Sequence, residues 1–115
     1  MARTPPPEAL DRHALEQAAR LLLGDEYKRP LAKLLGPHHP AGARESLDPR
    51  APFRWLAPPL DEDGQPNRSW RPIPPWVWPV IADLLRERAS RLDREAREAT
   101  RLSLDIRGLV KKAGN

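Results

Sequence analysis

The chain has no cysteine among its 115 residues. That excludes disulfides, thiolate zinc sites and cysteine nucleophiles, and it suits a reducing compartment. It also lacks any run of about 18 apolar residues, so no membrane-spanning helix is expected. The opening Met1-Ala2-Arg3-Thr4-Pro5-Pro6-Pro7 has no apolar stretch and is not expected to act as a secretory signal. Enzyme signatures are missing as well: there is no glycine-rich phosphate loop, no Gly-x-Ser-x-Gly and no paired-histidine helix motif. Asp61-Glu62-Asp63-Gly64 has the acidic start of a calcium loop without the later ligands or the closing Glu, and reads as an acidic turn. His38-His39, with His13, Glu45 and Asp48, lacks metal-ligand spacing; a solvated or phosphate-contacting turn is the expectation. A non-catalytic protein with no cofactor and no metal follows.

What is present is proline and charge. Fifteen residues are proline and 31% are charged, while alanine supplies much of the 39% hydrophobic share. A chain of this length makes one domain with a modest core, burying roughly two-thirds of its unfolded surface. Phe and Tyr occur once each. The net charge is +4 and the isoelectric point about 10.1. Of the 20 basic residues only Lys28, Lys33, Lys111 and Lys112 are lysine; the rest are arginine. Arginine suits bidentate phosphate and guanine contacts. GC-rich coding, which favours Arg, Ala and Pro together, explains the same excess equally well.

Residues 1–7 read as a disordered or polyproline arm. Pro7 suits a first helical turn, with Glu8 and Asp11 near the positive end of the dipole. Leu10, Ala14, Ala18, Leu21 and Leu22 recur at three- and four-residue spacing before a Gly24 cap, so a helix is predicted over 7–23. A second is predicted over 28–35, with Asp25 as its cap, Pro30 in its first turn and Gly36-Pro37 as its stop. Nine prolines between 37 and 74 leave no room for a strand. One short helix fits there over 49–57, with Asp48 as N-cap, Pro49 at its first position and Pro58-Pro59 as its stop. Residues 61–69 read as a mobile polar loop. The last helix begins at Pro75 or Trp76 and carries Val77, Val80, Ile81, Leu84 and Leu85. Beyond it, Leu85, Leu92, Ala99 and Ile106 lie seven apart, with Ala89, Ala96, Ser103 and Val110 as the complementary set, a heptad seam.

Four pieces carry a family pattern: Leu-Leu-Leu-Gly-Asp-Glu-Tyr-Lys-Arg-Pro-Leu-Ala-Lys-Leu-Leu-Gly (21–36), Phe-Arg-Trp-Leu-Ala (53–57), Arg-Pro-Ile-Pro-Pro-Trp-Val-Trp (71–78) and Leu-Leu-Arg-Glu-Arg (84–88). Together they resemble small bacterial and phage helix-turn-helix proteins of the repressor type, on Gly24, Tyr27, Leu31, Ala32, Leu35, Gly36, Arg54, Trp55, Leu56, Pro72, Ile73 and Pro74. Gly36 and Trp55 stand further apart than in that family, and 58–70 is a second insertion. The resemblance covers roughly half the chain. It implies an all-α fold: a small helical bundle with a helix-turn-helix-like core and a long C-terminal helix. Small Ala32 would let the second helix approach a recognition helix, and Gly36 would supply the positive φ of a tight turn. Trp55 would anchor the recognition helix, Arg50 and Arg54 would read bases, and Arg44, Lys28 and Lys33, with Arg29 beside them, would hold phosphate.

The expected organisation is an arm (1–7), a helix-turn-helix-like domain with Pro-rich insertions (8–90) and a helical extension (91–115). The expected partner is double-stranded DNA, contacted by a cytoplasmic transcription regulator, with a homodimer joined through 85–110. The four tryptophans, Trp55, Trp70, Trp76 and Trp78, are expected mainly in the core, with Trp70 the best candidate for exposure. Arg91–Glu95 and Arg94–Glu98 point to a salt-bridged, solvated face on the last helix. The competing function is a non-catalytic adaptor or phage-type inhibitor that binds a protein through its Trp/Pro-rich middle and Arg-rich helix. A helix at 49–57 packed on the second helix with Arg50 and Arg54 outward favours DNA; an irregular stretch with paired arginines favours the adaptor.

Overall fold

In the computed structural model, which describes residues 7–114, the regular elements are all helical: α1 (Arg12–Leu23), α2 (Lys28–Leu35), α3 (Ala51–Leu56) and α4 (Val77–Ala113), with a 3-10 turn at Gly36–His38. Among the described residues the one β pairing is an isolated antiparallel bridge between Leu60 and Pro66. The fold is all-α, as the proline density requires. The chain divides into two compact units, Met1–Leu85 and Arg86–Asn115. The expected arm at 1–7 lies outside the described residues except for Pro7.

α1 starts at Arg12 and not at Pro7. Asp11 is extended, and its Oδ1 accepts from the Ala14 N–H at 3.1 Å, so the carboxylate satisfies a free donor of the first turn and fixes the start. At the other end Gly24 takes φ 83 and donates to the Arg20 carbonyl, ending the helix as its sequence position suggests. The buried face is Leu15, Ala18 and Ala19, joined by Ala14; Leu10 and Leu21 are instead 71% and 64% exposed. The helical period was legible, but the apolar arc of α1 is wider than the strip that meets α2 and α3, and the core takes one side of it.

α2 coincides with its predicted span and buries Leu31, Ala32 and Leu35. Its N-cap position is Tyr27, without a side-chain cap, and the expected cap Asp25 turns to Arg20 at 3.4 Å. Gly36 overturns a second expectation: its φ is −51, in the right-handed region, so no tight positive-φ turn is made. Glycine is needed for another reason. A Cβ there would stand 2.7 Å from Ser46 Cα and 2.8 Å from the Arg44 carbonyl oxygen. The inserted chain folds back over the end of α2, with Arg44 N–H donating to Gly36 O and Leu47 N–H to Ala32 O, both at 3.0 Å. Leu47, 7% exposed, completes the core there.

α3 is shorter than the predicted 49–57. Pro49 and Arg50 form a turn, because Asp48 accepts from Arg50 N–H with its carboxylate (3.0 Å) and from Ala51 N–H with its carbonyl (2.9 Å). Pro52 and Trp55 face inward, and α1, α2 and α3 pack pairwise around Leu15, Leu31, Leu35 and Trp55. Arg71 N–H closes the far end of α3 on the Arg54 carbonyl at 3.1 Å.

The 61–69 loop is held by its own hydrogen bonds. Asp61 Oδ1 accepts from Asp63 and Gln65 N–H, Asp61 N–H donates to Gln65 O at 2.7 Å, and Asn67 Nδ2 donates to Pro58 O. Gly64 takes φ 78 at the tip. α4 begins at Val77, two residues after Pro75, because a turn accepted by the Pro74 and Pro75 carbonyls precedes it. Its opening turns close the first unit, with Val77 at 0% and Ile81 at 3% exposure. In the second unit the helix runs on through Gly108, and every residue from 89 to 113 is exposed. Among the described residues no helix is long and apolar enough to cross a membrane.

Candidate nucleic-acid interface

The cations singled out by sequence fall in two groups. Lys28 and Lys33 stand exposed on α2, and Arg29 shares the outward face with Lys33 at i,i+4 spacing, opposite buried Leu31, Ala32 and Leu35. Arg44 is exposed on the chain that returns over Gly36. From Tyr27 to Arg44 the sequence contains no Asp or Glu. The ion pairs found among the described residues involve none of Lys28, Arg29, Lys33 and Arg44.

Arg50 and Arg54 are placed less freely than expected. Arg50 is 74% exposed at its side chain, but its guanidinium is held by Asp48, with Nη2 3.2 Å from Oδ2 and Nε 3.3 Å from Oδ1. Arg54 is half-buried on α3. The backbone N–H of Arg50, then its guanidinium, lowers the Asp48 carboxyl below its ordinary value. The stretch is helical and packs on α2, while one of its two arginines is paired: each expected signature is present in part.

Lys28 joins α2 to α3. Its ammonium lies 5.4 Å from the centroid of the Phe53 ring, and Phe53 is 45% exposed. No sequence motif assigns Phe53 a role; its place directly before Arg-Trp, one position off the buried face of α3, was the available signal. Beside them an open groove of about 670 Å³ is lined by Glu16, Arg20, Asp25, Tyr27, Lys28 and Phe53, among others. Arg20 is engaged there by Glu16 at 3.0 Å and Asp25 at 3.4 Å, and stacks 5.6 Å from the Tyr27 ring centroid. Its hydrogen bond lowers the Glu16 carboxyl, and burial raises the Tyr27 phenol. These are partners that fix the α1–α2 corner.

The other singled-out side chains are structural. Trp55 is 6% exposed, and Trp76 and Trp78 pack against the core. Trp70, the best candidate for exposure, is half-buried. His39 meets the Trp76 ring edge-on at 5.3 Å, and its Nδ1 accepts from Ala41 N–H at 3.0 Å. Among the described residues no group of three or more His, Asp or Glu is arranged to hold a metal ion.

Comparison with known proteins finds no match to a protein family, to a characterised protein or to a solved structure.

Proposed function

We propose that the protein binds double-stranded DNA through α2 and the chain that leads from it into α3, as a cytoplasmic transcription regulator of the bacterial or phage kind. The observation that carries this reading is the run from 27 to 44, where Lys28, Arg29, Lys33 and Arg44 are exposed with no acidic residue among them. This stretch leaves positive charge for an external anion. A polyphosphate backbone is a partner that would take up such exposed cations. Lys28, Lys33, Arg29 and Arg44 hold phosphate in this reading. In this reading half-buried Arg54, beside exposed Phe53, would reach bases, and Arg50 would join it when a phosphate or base displaces Asp48. Two chains joined through α4 would present two such surfaces.

Fluorescence anisotropy with duplex DNA across a salt series tests it. The logarithm of the binding constant should fall linearly with log salt. Lys28→Gln/Lys33→Gln should make that slope shallower by about two, one for each phosphate no longer neutralised. Arg50→Ala/Arg54→Ala should weaken binding and relax sequence preference. An absence of binding at low salt, or an unchanged slope in the lysine variant, overturns the reading.

A protein-binding adaptor is the second reading, favoured by one observation. An apolar groove of about 380 Å³ runs between α1 and the start of α4, lined by Leu10, Ala14, Leu21, Trp78, Ile81 and Leu85. A protein captured through this groove, with no DNA affinity, would establish it.

A further inference from the structure

We propose that residues 89–113 of α4 pair with the same stretch of a second copy, side by side and antiparallel. The proposal extends the pairing through α4 named above and stands without DNA: the helix carries its own reasons.

Those reasons begin with exposure. Leu92 is 48% exposed, Ile106 50%, Leu102 59% and Leu109 and Val110 65%, on a helix whose every residue from 89 to 113 faces solvent. Leu102, Ile106 and Leu109 follow one another at four- and three-residue spacing, and Leu92, Ala96, Ala99 and Ser103 continue the same stripe toward the N-terminus. The 25 residues make about three and a half heptads, within the three to four that mark a coil. The flanks and far side carry the arginines and acids with Leu104 among them, and Asp93 and Arg97 pair at 3.2 Å on one flank.

Size and charge select a second copy and its direction. In a parallel pair each residue meets itself, so Ala96, Ala99 and Ser103 make three successive small layers between Leu92 and Ile106, and the helices cannot keep one separation without leaving a void. Reversed about a centre near residue 101, the layers become Leu92 with Val110 of the second copy, Ala96 with Ile106 and Ala99 with Ser103, so that each Ile106 fills the space beside an Ala96 and the run of small layers shortens from three to the central two. Charge agrees. The end of the helix, 106–113, carries Arg107, Lys111 and Lys112 and no acid, whereas 92–98 carries Asp93, Glu95 and Glu98 against Arg94 and Arg97. Parallel pairing sets the cationic ends against each other; the reversed register sets each beside 89–96, where Asp93 and Glu95 balance Arg91 and Arg94. It also brings Asp93 against Arg107 of the second copy, once in each half, at the flanks where charge fixes partner and orientation. Opposed helix dipoles add to the preference.

The full chain is measured first by light scattering, where a dimer is expected; a monomer at every concentration overturns the proposal. Direction is then read by thiol cross-linking, which the absence of native cysteine makes clean. Leu92→Cys and Val110→Cys, mixed and oxidised, should give a mixed disulfide. Either one alone should give little, because its two thiols lie about 27 Å apart at 1.5 Å per residue. Efficient cross-linking of each variant with itself overturns the antiparallel direction. Should either cysteine weaken association, charge supplies a second route. Arg107→Asp is expected to raise the dissociation constant at least tenfold, and Asp93→Arg/Arg107→Asp to restore it; failure of the double variant to recover refutes the register. Pairing sets only whether one or two such surfaces meet the duplex and not whether Lys28→Gln/Lys33→Gln lowers the salt slope at all, so failure of the pairing and failure of the DNA reading are distinguishable.

Discussion

Replacing Gly36 with alanine separates two reasons for a glycine at a helix end. At φ −51 the backbone is in the helical region, so alanine fits the dihedral angles and carries the usual advantage of about 0.5–1 kcal/mol in propensity and unfolded-state entropy. Its methyl, however, would stand 2.7 Å from Ser46 Cα and 2.8 Å from both Ser46 N and the Arg44 carbonyl oxygen. All three are backbone atoms and no rotamer change moves them. Pushing the returning chain away costs about 1–3 kcal/mol as overpacking. It also stretches the 3.0 Å bonds from Arg44 N–H to Gly36 O and from Leu47 N–H to Ala32 O, at about 1 kcal/mol each. The net expectation for Gly36→Ala is a destabilisation of about 2–4.5 kcal/mol, a fall in Tm on the order of 10–35 °C for a unit of this size. Urea unfolding followed by tryptophan fluorescence reads it directly, since Trp55, Trp70, Trp76 and Trp78 all lie in the first unit. A midpoint equal to or above that of the unaltered chain refutes the close-approach argument. Gly108→Ala is the contrast: nothing lies within 4 Å of its added Cβ, so α4 should gain helicity in circular dichroism.

Two further outcomes follow from the core and the turn before α3. Leu31, wholly buried among Leu15, Leu35 and Trp55, should cost about 2–5 kcal/mol when cut to alanine, read as a lower urea midpoint; a loss under about 1 kcal/mol would mean that the α1–α2–α3 packing is wrong. Asp48, lowered by the Arg50 N–H and guanidinium, has a folded-state pKa below its unfolded one. Its contribution is therefore present at neutral pH and fades as pH falls through that lowered value. A carboxyl titration by NMR should place the Asp48 midpoint below the ordinary value, and a midpoint at or above it refutes the Asp48–Arg50 pairing.

Helix existence was legible wherever the local signal was complete. Over 28–35, Pro30 in the first turn, apolar Leu31, Ala32 and Leu35, and Gly36-Pro37 at the end specify one helix without help. The start of α1 was not legible from Pro7, because several residues could begin the helix and the Asp11 carboxylate, by reaching the Ala14 N–H, decided among them. The candidate interface was legible as residue type and not as availability. Lys28, Lys33 and Arg44 are exposed as expected, whereas Arg50 is taken by Asp48, two residues away, whose position in the sequence marks it only as a cap.

By itself the sequence determined the all-α class, since proline removes the donors a strand needs, the absence of cysteine chemistry and of a membrane-length apolar run, and the long last helix with its seven-residue repeat. These are local properties, set by neighbours within a few positions. The tertiary structure alone decided the rest: which side of α1 is buried, why Gly36 must be glycine, that the 61–69 loop is pinned by Asp61 and Asn67, and which arginines are already partnered. The first two depend on atoms distant in the chain brought within van der Waals reach, which periodicity and composition do not encode; the loop bonds and arginine pairs join near neighbours, and the backbone path chose among the partners available.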